Sequence, residues 1–217
     1  MAYSIMWAEN GTRKITLKNG INQNKIHLLA MRISHKHKFV FIAVPKTGST
    51  SVRSIIDPYS DITSVNNRNS PYKHHTTALN LKKHFESEGW NWGDYYKFSV
   101  VRNPWERRVS SWAYRLKKGQ HNYTEFKDFV MHYPANPQVS WLFDESGNSL
   151  MDYIFKLEDL DGMDKVFEYL NIPKVKLPRK NKNNHKHYTE YYDDETREIV
   201  AEKYAKDIEY FDYKFSQ

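Results

Sequence analysis

Two runs of strand length stand out from an otherwise mixed pattern: KFVFIAV at 38–44, apolar without interruption after its first residue, and YYKFSVV at 95–101, largely apolar around Lys97 and Ser99. The first, with no polar alternation, is what a strand buried on both faces requires, as in the centre of a parallel sheet, and the second reads as another buried strand. The first run leads through PKTGSTS to Val52, Ile55 and Ile56 at helical spacing, a strand–loop–helix unit. Residues 76–88 predict a helix with Thr76 or Thr77 as cap, Leu81 and Phe85 on one face, and Gly89 at the end. After the second run, Pro104 suits a first helical turn, and the helix extends to Lys118 with Gly119 beyond it. Phe126, Phe129, Val130 and Tyr133 mark a short amphipathic helix. YIFKLEDL at 153–160 reads as a third strand, followed by a helix over 163–170 and the basic loop LPRKNKNNHKH. A last helix over about 194–209 carries Ile199, Val200, Tyr204 and Ile208. Strands alternating with helices predict an α/β fold of three layers, a central and mostly parallel sheet flanked by helices.

Residues 1–36 are more polar and form an N-terminal extension in this reading, with KITLKNGINQNKI a candidate hairpin around Asn19-Gly20. The absence of repeats, low-complexity tracts or Pro/Gly-rich linkers makes 37–217 one domain. That agrees with a length of 217 residues, enough for one ordinary core.

Composition removes several classes of function. The chain has no cysteine, so a disulfide scaffold, a thiol nucleophile and a thiolate metal site are excluded. No stretch approaches the ~20 apolar residues of a spanning helix. The opening MAYSIMWAENGTRK lacks a basic-then-apolar leader, and the expected location is the cytoplasm. A formal charge of +7 suits an anionic ligand, a nucleic acid or an acidic polymer. The aromatic share, 15%, could stack on bases or sugars but is first of all the filling of a core.

Chemistry concentrates after the two apolar strands. Pro45-Lys46-Thr47-Gly48-Ser49-Thr50-Ser51 joins a strand to a helix N-terminus, where backbone N–H groups and the helix dipole favour an anion. Gly48 permits close approach or positive φ, Lys46 adds a movable charge, and the hydroxyls add donors. A polar loop with ordinary Ser/Thr caps would look similar. The nucleoside-triphosphatase loop G-x-x-x-x-G-K-[ST] is not matched, because Lys46 precedes Gly48 and position 43 is alanine. After the second strand comes Arg102-Asn103-Pro104-Trp105-Glu106-Arg107-Arg108-Val109-Ser110. Arg102 falls where open α/β sheets bind ligands, and an arginine fork plus the Ser110 hydroxyl suits a second phosphate. Pairing of Arg102 with a carboxylate is the structural alternative.

Taken together, strand–PKTGSTS–helix and, about fifty residues on, FSVVRNPWERRVSS resemble the sulfotransferase superfamily. ISHKHKFVFIAVPK, KHHTTALNLK, IFKLEDL and the tail from LPRKNKNNHKH onward are similar to its carbohydrate-type branch, over residues 33–215. The resemblance implies a P-loop-like sulfotransferase fold and 3′-phosphoadenosine 5′-phosphosulfate (PAPS) as donor, with 3′-phosphoadenosine 5′-phosphate (PAP) as product and no metal. It places Lys46, Thr47, Gly48, Ser49, Thr50 and Ser51 around the 5′-phosphosulfate, and Arg102 and Ser110 on the 3′-phosphate. Arg107 matches the motif either as a ligand or as a brace, with Arg108 beside it, and the loop at Arg179–Lys182 is a candidate to close over the nucleotide. His75, just before the 76–88 helix, resembles the family's general base, and His74 is its neighbouring rival. The implied reaction is in-line displacement on sulfur by an acceptor hydroxyl, on a glycan or glycolipid, with no nucleic acid and no membrane span. A metal-dependent nucleotide kinase or NTPase, and a nucleic-acid- or nucleotide-binding protein without catalysis, are the competing readings.

Overall fold

Two strands, β4 (Phe39–Ile42) and β6 (Tyr96–Val101), form the centre of a five-stranded sheet. The computed structural model describes residues 4–7, 13–16, 31–63, 75–159, 161–177 and 186–216. The sheet order is β5-β3-β4-β6-β7, with β3 at Arg32–Ser34, β5 at Ile62–Thr63 and β7 at Tyr153–Lys156. A separate hairpin pairs β1 (Ser4–Trp7) with β2 (Arg13–Thr16) and sets Ile5 opposite Ile15. Lys14–Thr16 therefore pairs with the chain before it, and the Asn19-Gly20 turn lies outside the described residues.

Alternation along β4 produces the layers. Phe39, Phe41 and Ala43 enter one apolar cluster with Val52 and Ile56 of α1 (Ser49–Ile56) and Val166, Phe167 and Leu170 of α6 (Asp164–Leu170). Val40, Ile42 and Val44 enter the opposite cluster with Leu81 and Phe85 of α2 (Ala78–Ser87) and Trp105 and Val109 of α3 (Pro104–Lys117). All six β4-run residues are at most 1% exposed. The Phe, Val and Ile side chains among them each contribute about 1.5–3 kcal/mol by leaving water, so the site is built on a fully buried strand. Further helices extend the second layer: α4 (Phe126–His132), α5 (Val139–Leu142), α7 (Asp194–Lys203) and α8 (Ala205–Phe211).

The sheet corrects the expectation of mostly parallel pairing. β4–β6 and β6–β7 are parallel, but β3–β4 and β3–β5 are antiparallel, so the sheet is mixed. The cause is connection length: residues 35–38 alone join β3 to β4, too few for the crossover that a parallel pair needs. β3 escapes a periodicity search because it is three residues long and begins with a charge. Arg32 is buried there and paired with Asp57. β3 also lies inside residues 1–36, so that stretch contributes to the main sheet. The expected C-terminal helix is two helices, interrupted at Tyr204 with φ −119° and ψ 21°. The interruption keeps the Tyr204 ring in the core, 3% exposed, with its hydroxyl accepting from the Asn136 N–H at 3.3 Å. Among the described residues no helix is long and apolar enough to cross a membrane.

Candidate functional site

The loop leaving β4 turns through two left-handed residues, Lys46 (φ 69°) and Gly48 (φ 76°), before α1 begins at Ser49. Gly48 is needed on two counts. A left-handed backbone costs a residue with a Cβ about 1–2 kcal/mol, and a Cβ there would lie 2.6 Å from Cδ1 of Leu157, just past β7. The tight turn leaves the N–H groups of Gly48, Ser49 and Thr50 without an acceptor among the described residues. Ser51 N–H is already bonded to the Gly48 carbonyl at 2.9 Å. Free N–H groups at the positive end of a helix suit an anion.

The hydroxyls divide. Thr47 is fully buried and donates to the Val44 carbonyl at 2.9 Å, which fixes the turn from inside. Thr50 Oγ1 accepts from Arg53 at 2.9 Å, and Arg53 also donates to the Ser49 carbonyl at 3.2 Å. Ser49 and Ser51 are buried on the inner side of the first turn.

Arg102 leaves the C-terminal end of β6 next to this loop. One Nη donates to the Lys46 carbonyl at 3.3 Å, and the other is paired with Glu106 Oε1 at 2.7 Å. Its Nε is buried and has no hydrogen-bond partner among the described residues. The carboxylate alternative raised by the sequence is thus realised through Glu106, four residues along α3, without satisfying the whole guanidinium. Asn103 caps α3, accepting from the Trp105 N–H at 3.1 Å and donating to the Lys214 carbonyl at 3.0 Å. Glu158 Oε1 accepts the Asn103 N–H at 2.7 Å, which ties the end of β7 to the same corner. Ser110, in the second turn of α3, is half-buried, and its hydroxyl makes no hydrogen bond among the described residues.

Arg107 and Arg108 are braces. Arg107 Nε donates to the Pro45 carbonyl at 2.8 Å and Nη1 to the Asn136 carbonyl at 2.7 Å, which clamps α3 to the loop. Arg108 donates to the carbonyls of Phe129, Tyr133 and Pro134 and lies 4.2 Å from the Phe129 ring, and its buried Nε, like that of Arg102, has no partner among the described residues. Lys46 is surrounded by positive charge. Burial first, then the guanidinium groups of Arg102 and Arg115, brings its ammonium down to about 8.

His75 is carried to the foot of the loop. Its Nδ1 lies 2.9 Å from the Ala43 carbonyl, and its ring stands edge-on to Trp141 at 5.8 Å. A carbonyl only accepts, so Nδ1 bears the proton and the lone pair of the neutral ring is on Nε2. Thr77, not Thr76, caps the following helix, its hydroxyl accepting from the Asn80 N–H at 3.2 Å. His74 and the Arg179–Lys182 loop lie outside the described residues.

Sequence reasoning missed the supports. Gln138 is fully buried between Arg102 and Asp207, Leu157 fills the space at Gly48, and Tyr114 lies against Lys46. No local motif marks them, because each acts across more than thirty residues of chain. The assembled group offers N–H donors, an ammonium, an incompletely satisfied guanidinium and an imidazole whose Nδ1 is turned to a carbonyl. It can hold an oxyanion and take a proton. A family model described as the sulfotransferase family matches residues 30–214, all but the two ends of the chain. Searches of curated proteins and of solved structures return no match.

Proposed function

The chain belongs to the sulfotransferase family, and from that premise we propose that it moves the sulfuryl group of PAPS onto an acceptor hydroxyl, on a carbohydrate, with His75 as general base. The observation that carries the proposal is the meeting of three distant segments. The Lys46–Thr50 loop, Arg102 and His75 are joined by the Arg102–Lys46 and His75–Ala43 hydrogen bonds. The residues fit such a donor: the unpartnered Arg102 Nε and the acceptor-free N–H groups of Gly48, Ser49 and Thr50 ask for oxyanions.

In this scheme the donor supplies a sulfuryl group bonded to a phosphate leaving group. Arg102 and Ser110 hold the 3′-phosphate, which distinguishes this nucleotide from ATP. Lys46 and the loop N–H groups hold the phosphosulfate and stabilise charge as it develops on the leaving oxygen. His75 Nε2 takes the hydroxyl proton as the acceptor oxygen bonds to sulfur and the bond from sulfur to the bridging phosphate oxygen breaks; PAP leaves. Holding both reactants in line supplies much of the acceleration. The half-buried Trp141 beside His75 offers an aromatic surface suited to a sugar face.

Calorimetric titration with PAP, with adenosine 5′-monophosphate as control and no added metal, tests the donor site. Micromolar binding that depends on the 3′-phosphate is the expected result. Equal binding of both nucleotides, or none, would remove the sulfotransfer reading and restore the kinase and nucleic-acid alternatives.

A further inference from the structure

Lys46 Nζ lies 3.9 Å from the centroid of the Tyr114 ring, and among the described residues it forms no hydrogen bond or ion pair. Its surroundings repel it. Arg102 and Arg115 lie close enough to act on its charge. Arg107, Arg108, Tyr133 and Tyr204 share with it a small cavity behind the loop. Arg107 and Arg108 are committed to main-chain carbonyls and Arg115 to Ser111 and Gln120; Asp207 acts on Arg107 from outside the cavity, and among the described residues no carboxylate lines the cavity wall. Glu106 is occupied by Arg102. An ammonium in such a place would swing out to water unless something attractive held it, and among the described residues the face of Tyr114 is the attractive group that touches it.

Tyr114 is one helical turn beyond Ser110 on α3, and it remains 44% exposed. It stands at the rim of the site and is not part of the core. Its exposure means that apolar burial does not account for the ring, whereas attraction of a cation to the ring face does.

We propose that Tyr114 is a positioning residue: its ring holds the Lys46 side chain at the donor loop, against the repulsion of the surrounding arginines, in the conformation from which Lys46 meets the phosphosulfate. This rests on the reading of Lys46 as a donor-binding group.

The test follows Lys46 itself in nucleotide-free protein, by NMR titration after reductive 13C-methylation of the lysines, with the signal assigned by its loss in Lys46→Arg. In the native chain and in Tyr114→Phe, which keeps the ring, Lys46 should titrate near 8. In Tyr114→Leu it should titrate lower still, because the lost ring face favoured only the charged form. PAP affinity at neutral pH should fall about fivefold to thirtyfold in Tyr114→Leu and stay native in Tyr114→Phe. A Leu variant that titrates and binds like the native protein, or a Phe variant that behaves like Leu, would overturn the proposal. Failure of the native protein to bind PAP would count against sulfotransfer, while the Lys46 titration would still decide the Tyr114 contact.

Discussion

Gln138 grips both polar groups of the Arg102 main chain: its Oε1 accepts the Arg102 N–H at 2.9 Å, and its Nε2 donates to the Arg102 carbonyl at 2.8 Å. The side chain is fully buried, and it extends the ladder of β6 by one residue where no neighbouring strand is available. Gln138 is held in turn by Asp207, whose carboxylate accepts the N–H groups of Gln138 and Val139 at 2.8 and 2.9 Å. Burial pushes that carboxyl upward while these bonds oppose the shift. A residue in a loop between α4 and α5 thereby fixes where an arginine thirty-six positions earlier leaves the sheet.

Replacing Gln138 by leucine keeps most of the volume and removes both bonds. Two buried main-chain groups then lose their partners, at about 1–3 kcal/mol each. Urea denaturation should show a loss of that order. The preference for PAP over adenosine 5′-monophosphate should shrink because Arg102 is no longer aimed. A destabilised variant with an unchanged preference would show that Gln138 supports the fold without orienting Arg102.

Arg102→Ala should weaken PAP about tenfold to a hundredfold, the range of a lost charge-assisted pair, and leave adenosine 5′-monophosphate nearly unaffected. Calorimetry on both nucleotides checks this. An unchanged PAP dissociation constant would take Arg102 out of the 3′-phosphate site.

His75→Ala should leave PAP binding nearly intact while lowering turnover with an accepted hydroxyl compound by roughly a hundredfold or more. The Nδ1 bond to Ala43 makes a second comparison informative. His75→Gln can still donate to that carbonyl but cannot accept a proton at neutral pH, so it should be as slow as the alanine variant. Activity near native in either variant would exclude His75 as the base.

PAP affinity should depend on pH through Lys46. Its ammonium, brought down to about 8, is charged below that pH and neutral above it. An anion binds the charged form, so affinity should be flat in this respect below 8 and fall above it, by up to about tenfold per pH unit. The sign for stability is opposite. The folded state holds this proton less tightly than the unfolded chain, so Lys46 opposes folding at low pH, and that opposition is relieved between about 8 and 10.5. Binding titrations from pH 6.5 to 9.5 on native protein and Lys46→Met separate this group from other ionisations, since the methionine variant should lack the break.

Gly48→Ala meets two penalties, the left-handed backbone and the contact with Leu157. Together they should lower stability by about 2–4 kcal/mol. Adding Leu157→Ala relieves the contact but not the backbone. Denaturation of the four chains should therefore show Gly48→Ala costing less in the Leu157→Ala background than in the native one. Equal costs would mean that Leu157 does not press on the loop.

The buried strands, the helices α2, α3 and α6, and the two phosphate-type motifs were legible in the sequence because each is written locally. A run of apolar residues, a cap such as Thr77 and a strand–loop–helix turn need only neighbours in the chain to declare themselves. The short strands β3 and β5 were not legible, since three or two residues carry no period and Arg32 reads as a surface charge until Asp57 is placed beside it. The break at Tyr204 was hidden for a related reason: the helical spacing of Val200, Tyr204 and Ile208 continues through it, and only packing in the core interrupts the backbone.

The site divides in the same way. Sequence determined which residues carry charge, which loop lies before a helix, and which family they match. Tertiary structure decided their roles: Thr47 turned inward to Val44, Arg107 and Arg108 spent on carbonyls, Arg102 shared between Glu106 and the Lys46 carbonyl. It also set Gln138 and Tyr114 beside the groups they serve. Propensity and periodicity are properties of a few adjacent residues, whereas a hydrogen bond or a cation–ring contact depends on which segments the sheet brings side by side.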